Sequence, residues 1–156
     1  GSNITAGAGR LTHAGANSTP QIVAPGCYDL VDIVGWQPVS AKWADHPQHA
    51  HNRLLSSIVL NHEERKEVAR AHAAQLASAK GPVAMIMPLH GLGEWDREGA
   101  DLHNAEGLAA FLAELEATLP DIVTAERIPC HINDAEFADK ALEIFDAWCA
   151  DGTVTR

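Results

Sequence analysis

Three short stretches of this 156-residue sequence concentrate side chains that bind ligands or move protons. His46-Pro47-Gln48-His49-Ala50-His51-Asn52-Arg53 holds three histidines in six residues, and Leu89-His90-Gly91-Leu92-Gly93-Glu94-Trp95-Asp96 adds an imidazole, two carboxylates and a glycine turn. The third stretch is His131-Ile132-Asn133-Asp134. Histidine is the side chain that changes charge near neutral pH without special tuning. An imidazole and a carboxylate within hydrogen-bond reach are what general acid–base work requires. We therefore take His49, His51, Asn52, Glu94, Asp96, His131, Asn133 and Asp134 as candidate ligand-binding residues, and His131 with Asp96 as the candidates for catalysis.

Each of these residues also has a plain structural use. Asp134 caps the last helix whatever else it does, and His131 can close a strand with a backbone hydrogen bond. Gly91-Leu92-Gly93 lacks the lysine of a phosphate-cradling loop and the spacing of a dinucleotide fingerprint, so it reads first as a turn. Three histidines invite zinc. His49 and His51 share a direction only on an extended segment, however, and Pro47 with its polar neighbours suggests a loop. No helical metal motif is present, and we expect no metal. Cys27 follows Pro25-Gly26 and reads as an inert small residue rather than an activated thiol.

Positioning these stretches requires strands and helices in alternation. Gln21–Ala24 is the first strand candidate, after a short helical stretch around Arg10–Ala16. Asn61 caps a helix carrying Val68, Ala69, His72, Ala73 and Leu76 at helical spacing. Val83–Met87 is a continuous apolar run, as expected of a strand buried on both faces. Asn104 caps the next helix, with Leu108, Phe111, Leu112 and Leu115 as its stripe, and Ile122–Ile128 is the third strand. The last helix carries Phe137, Ala141, Leu142, Phe145 and Trp148. Leu54–Leu60 is a further strand candidate whose apolar run is also compatible with helix. This order predicts an α/β fold, a Rossmann-like three-layer α/β/α domain with a small, mostly parallel sheet. Two polar stretches then lie at strand carboxyl ends, where open α/β sheets bind ligands.

Composition narrows the partners. A formal charge of −10 with no Lys/Arg cluster excludes a nucleic-acid backbone as the expected partner. No apolar run reaches the roughly 18–20 residues of a membrane span. Three cysteines with no close pairing fit a reducing compartment, so the chain reads as cytoplasmic, and Cys149 as a small core residue. Residues 1–4 read as a tag or linker remnant and 5–156 as one domain.

With those stretches in view, the sequence resembles the carboxy-terminal half of the uncharacterised family that includes the tomato mosaic virus resistance protein, the Tm-one-like ATP-binding proteins. The resemblance rests on Pro20-Gln21-Ile22-Val23-Ala24-Pro25-Gly26 with Asp29, on His49-Ala50-His51-Asn52, and on Gly81-Pro82-Val83 leading to Pro88-Leu89. Trp95-Asp96 and His131-Ile132-Asn133-Asp134 with Phe137-Ala138 complete it. Many members carry a proline where this chain has Arg53. The resemblance implies two α/β lobes, of which this chain is the second. It implies ATP, with magnesium, for the full-length protein, the nucleotide being associated mainly with the missing N-terminal lobe.

Two functional readings follow. One is a binding lobe for a nucleotide or another small anionic ligand, partnered by the N-terminal lobe and forming a homodimer. The other is an enzyme using His131 or His51 with Asp96 or Glu94 as acid and base on a small carboxylate or phosphorylated metabolite. In a purely structural lobe, Trp36 and Trp43 would instead be interface residues.

Overall fold

Residues 2–154 are described by a computed structural model; Gly1, part of the stretch read as a tag remnant, and residues 155 and 156, the end of the expected domain, lie outside them. The expected α/β architecture is present. Strand β1 (Gln21–Val23), strand β5 (Val83–Pro88) and strand β6 (Val123–Ile128) form a parallel sheet in the order β1-β5-β6. Registers run Gln21 to Val83 and Val83 to Val123, so the three carboxyl ends finish on one edge. Every residue of β5 is buried, which explains its unbroken apolar run at the centre of the sheet.

Helix α2 (His62–Leu76) and helix α3 (Ala105–Thr118) pack on each other over one face of this sheet. Leu76, Met85, Phe111 and Leu115 are fully buried between these layers. Helix α4 (Ala135–Ala150) covers the other face through Phe137, Ala141 and Ile144 against Ile86 and Ile128. Helix α1 (Thr12–Ala16) precedes β1. Asn61 caps α2 with a full capping box to Glu64, and Asn104 caps α3 through the Gly107 N–H at 2.7 Å.

The segment between β1 and α2 departs from expectation. It builds a second, antiparallel sheet of strand β2 (Leu30–Val34), strand β3 (Gln48–Ala50) and strand β4 (Leu55–Val59), in the order β2-β4-β3. Leu54–Leu60 is thus strand and not helix. Val31 faces Ile58 across the β2–β4 pair, and both join Ile33, Trp43 and Leu60 in a small core against Val68 of α2. Alternation along β2 was hidden because Asp32 is its single polar residue; Asp32 accepts from the Ser57 hydroxyl at 2.7 Å.

Other expectations need correction in detail. The histidine stretch is partly strand, since β3 pairs with β4 despite Pro47. Trp43 is a core residue whose indole N–H donates to Glu64 at 3.2 Å, while Trp36 is 67% exposed. Cys149 is only half-buried, and α4 has no fully buried residue. Ser2 and Asn3 hydrogen-bond along β2, at Asp32 and Val34. Among the described residues no helix is long and apolar enough to cross a membrane.

Candidate functional site

The site is built on the shared carboxyl edge of β1, β5 and β6. Pro88 ends β5, and the chain turns through Gly91, whose φ of +137° is open only to glycine. A side chain here would also be blocked. An added Cβ would lie 2.5 Å from His131 Cδ2 and 2.7 Å from Asp96 Oδ1. That close approach lets the loop after β5 meet the loop after β6.

The contact itself is a buried imidazole–carboxylate pair. His131 Nε2 lies 3.0 Å from Asp96 Oδ1, and His131 is 1% exposed. The Asn133 N–H donates to His131 Nδ1 at 3.1 Å. Nδ1 is therefore the unprotonated nitrogen, so Nε2 carries the proton and donates it to Asp96. Both ring nitrogens are occupied.

Asp96 also accepts from the Leu92 and Gly93 N–H groups at 2.6 and 3.1 Å. The glycine turn is thus a cradle already filled by its own carboxylate, and those amides are not free for a phosphate. Asp134 stands at the N-cap position of α4, but no helix N–H donates to its side chain, contrary to the expected cap. Its Oδ2 accepts from the His131 N–H at 2.8 Å and its Oδ1 pairs with Arg97 at 2.9 Å. Those two partners, the His131 amide first, lower its pKa. The carboxylate does not cap because its oxygens already serve Arg97 and the loop before the helix.

The histidine stretch reaches the same edge. His49 lies in β3 and His51 just past its end, and both rings meet Trp95. Their centroids are 4.5 and 5.0 Å from the indole, tilted at 34° and 68°. Asn133 Nδ2 donates to Glu94 at 2.9 Å beside them. Asn52 does different work: its side-chain oxygen accepts from the Leu54 and Leu55 N–H groups and shapes the β3–β4 turn. The approach to β3 is pinned from α2. Glu64 takes Trp43 and His46 at 3.2 and 2.9 Å and pairs with Lys42 at 3.1 Å. Burial alone would raise the Glu64 carboxyl, but the Asn61 amide, Lys42, His46 and Trp43 hold it down to about 2.

Sequence reasoning named the stretches but missed three parts of the site. Trp95, an aromatic between two acids in a polar loop, was the available signal for a stacking surface. Gly91 and Arg97 gave none, because their roles depend on what faces them. Cys27, with φ of +55°, gives its N–H to the Leu92 carbonyl at 2.8 Å and ties the loop after β1 to this edge. Although Cys27 is exposed at the surface, partial desolvation of its thiol, with Asp29, Asp32 and Asp96 nearby, raises its pKa and disfavours the thiolate. No group of three or more metal-ligating side chains is present among the described residues. A cleft of about 800 Å³ opens beside His131 and Asp134, between α3 and β6.

Similarity to known proteins runs the length of the chain. The family model described as the C-terminal domain of the uncharacterised protein family UPF0261 matches residues 1–149. A UPF0261 protein of Brucella melitensis is 47% identical over all 156 residues, which are 37% of that protein. One from Clostridium tetani is 30% identical over 139 residues, 88% of this chain and 34% of the relative. The tomato ToMV resistance protein Tm-1 is 27% identical over 128 residues, 81% of this chain and 17% of its own length. The chain spans about a third of the length of the bacterial relatives it matches.

Proposed function

This chain belongs to the UPF0261 family as its C-terminal domain, and from that premise we propose that it is the ligand-binding second lobe of a two-lobed cytoplasmic protein. Its ligand is a nucleotide or another small anion, held with magnesium in the complete protein when the ligand is ATP. The observation that carries this reading is the convergence of three stretches, up to 85 positions apart, on one strand-end edge. The indole and two imidazoles offer planar surface for a base, and neutral or protonated His49 and His51 can donate to an anion.

An enzymatic reading draws on the 3.0 Å His131–Asp96 contact. Occupation of both imidazole nitrogens makes that pair a clamp between loops, and so supports binding over proton transfer. Thermal-shift titration with ATP–magnesium, inorganic phosphate and simple carboxylates tests the proposal, on this chain and on a complete family member. Ligand at about a hundredfold its Kd stabilises by about 2.7 kcal/mol, and His49→Ala or Trp95→Leu should remove most of that gain. No shift in either protein, or a shift that both substitutions leave intact, sinks the reading.

A further inference from the structure

Three donors converge on the Asp96 carboxylate. The Leu92 N–H reaches its Oδ2 at 2.6 Å, while the Gly93 N–H and His131 Nε2 reach its Oδ1 at 3.1 and 3.0 Å. One planar anion with two oxygens thus satisfies all three. Leu92 and His131 are each 1% exposed and Gly93 is buried, so bulk water does not serve these donors. Two backbone amides and an imidazole so placed form a carboxylate receptor by their chemistry. We propose that this seat is a carboxylate-binding site and that Asp96 is its built-in competitor, displaced when a ligand carboxylate enters. The inference rests on the reading that the strand-end edge binds an anion, and it names the seat and the class of that anion.

The surroundings suit an exchange of one carboxylate for another. The Asp96 side chain keeps 10% of its surface exposed, so the seat communicates with solvent. His131 is shared between the seat and the cleft of about 800 Å³, which Leu89, His90 and Leu108 also line. A carboxylate held at His131 can lay its carbon body along that apolar wall. Arg65, 2% exposed and with Nη2 unpartnered, stands behind the edge. Burial lowers the Arg65 pKa, and the charges of Asp29 and then Asp96 push it back up. Negative charge added at the seat therefore meets a cation that is only partly neutralised.

Tethering sets the terms of the competition. Asp96 lies three and four positions beyond the amides it occupies, so it competes at an effective concentration of about millimolar or above. A bare small acid displaces it poorly, and a ligand gains its advantage from apolar contacts in the cleft.

Chemical rescue of the intact chain tests this. Asp96→Ala leaves three buried donors unpaired and should lower the melting temperature by about 5–10 °C. Acetate or formate should restore most of that loss in a saturable way, and chloride at the same ionic strength should not. Asp96→Asn fills the seat without the charge and should show no such restoration. In the parent, the Leu92 and Gly93 amide resonances should follow acetate at about tenfold higher concentration, because the tethered competitor is present. Combining Asp96→Ala with His49→Ala separates this inference from the reading beneath it, since acetate rescue should persist there whatever becomes of ligand binding beside Trp95. Failure of acetate and formate to rescue Asp96→Ala overturns the proposal, and so does equal rescue by chloride. Inorganic phosphate acting more strongly than acetate overturns the carboxylate class. If Asp96→Ala does not fold, the parent decides: amides of Leu92 and Gly93 that acetate leaves unmoved sink the idea.

Discussion

Two polar clusters lie a few residues apart in this fold and are built on opposite terms. At the strand ends, the two loops joined by Asp96 and His131 spend each of their ring nitrogens and carboxylate oxygens on a partner at 2.6–3.1 Å. Below them, Asp29 and Arg65 are each 2% exposed and only 3.8 Å apart, with Asp29 Oδ1 and Arg65 Nη2 lacking hydrogen-bond partners. His72, also buried, has no partner on either ring nitrogen. Satisfied networks fix a geometry, whereas partly satisfied ones carry a desolvation cost with little return. The difference places precision at the loops and strain in the layer that supports them.

The largest effect should come from halving the poorly paired cluster. Arg65→Met leaves Asp29 buried without its cation, and we expect a loss of about 3 to 5 kcal/mol in urea unfolding. Burial already raises the Asp29 pKa despite Arg65. Adding Asp29→Asn to that variant should therefore recover most of the loss. A double variant as unstable as Arg65→Met would mean that the two clusters are not different in kind.

Gly91→Ala attacks the well-paired cluster. Strained φ and the clash with His131 and Asp96 together should cost about 3 kcal/mol, and the ligand response of the strand-end face should fall with it. If the variant melts with the parent, the loop is softer than the contact geometry implies.

His72 gives a pH handle on the same contrast. Burial lowers its pKa from 6.5 to about 4, so the unfolded chain binds the proton more readily. Stability is then full above pH 6.5 and falls as pH drops toward 4. From the linkage relation the loss between pH 7.5 and 5 is about 2 kcal/mol. His72→Leu should flatten that limb in denaturant titrations at several pH values; an unchanged slope would assign it to other groups. Smallest is Asn61→Ala, which removes the α2 capping box and should cost about 1 kcal/mol. A larger loss would show that the Glu64 hub and the β3 approach depend on that cap.

Much of the framework was legible because its signals are local. Asn61 and Asn104 cap where they were expected, and the apolar run through β5 marked the central strand. The antiparallel sheet was not, since β2 and β3 are short and β2 finds its partners in β4 across 21 to 29 positions. Asp134 misled for a related reason: an N-cap position is local, but whether its oxygens are free depends on Arg97 and the loop before it.

By itself, the sequence determined the three long helices, the parallel strands and which stretches hold the reactive side chains, because periodicity, caps and turn residues act over a few positions. Tertiary structure alone decided that His49 and His51 meet Trp95, that Asp96 fills its own glycine turn, and that His131 is held at both ring nitrogens. Those outcomes depend on distances between residues far apart in the chain. Such distances are set by how the two sheets pack against α2, where no local propensity reaches.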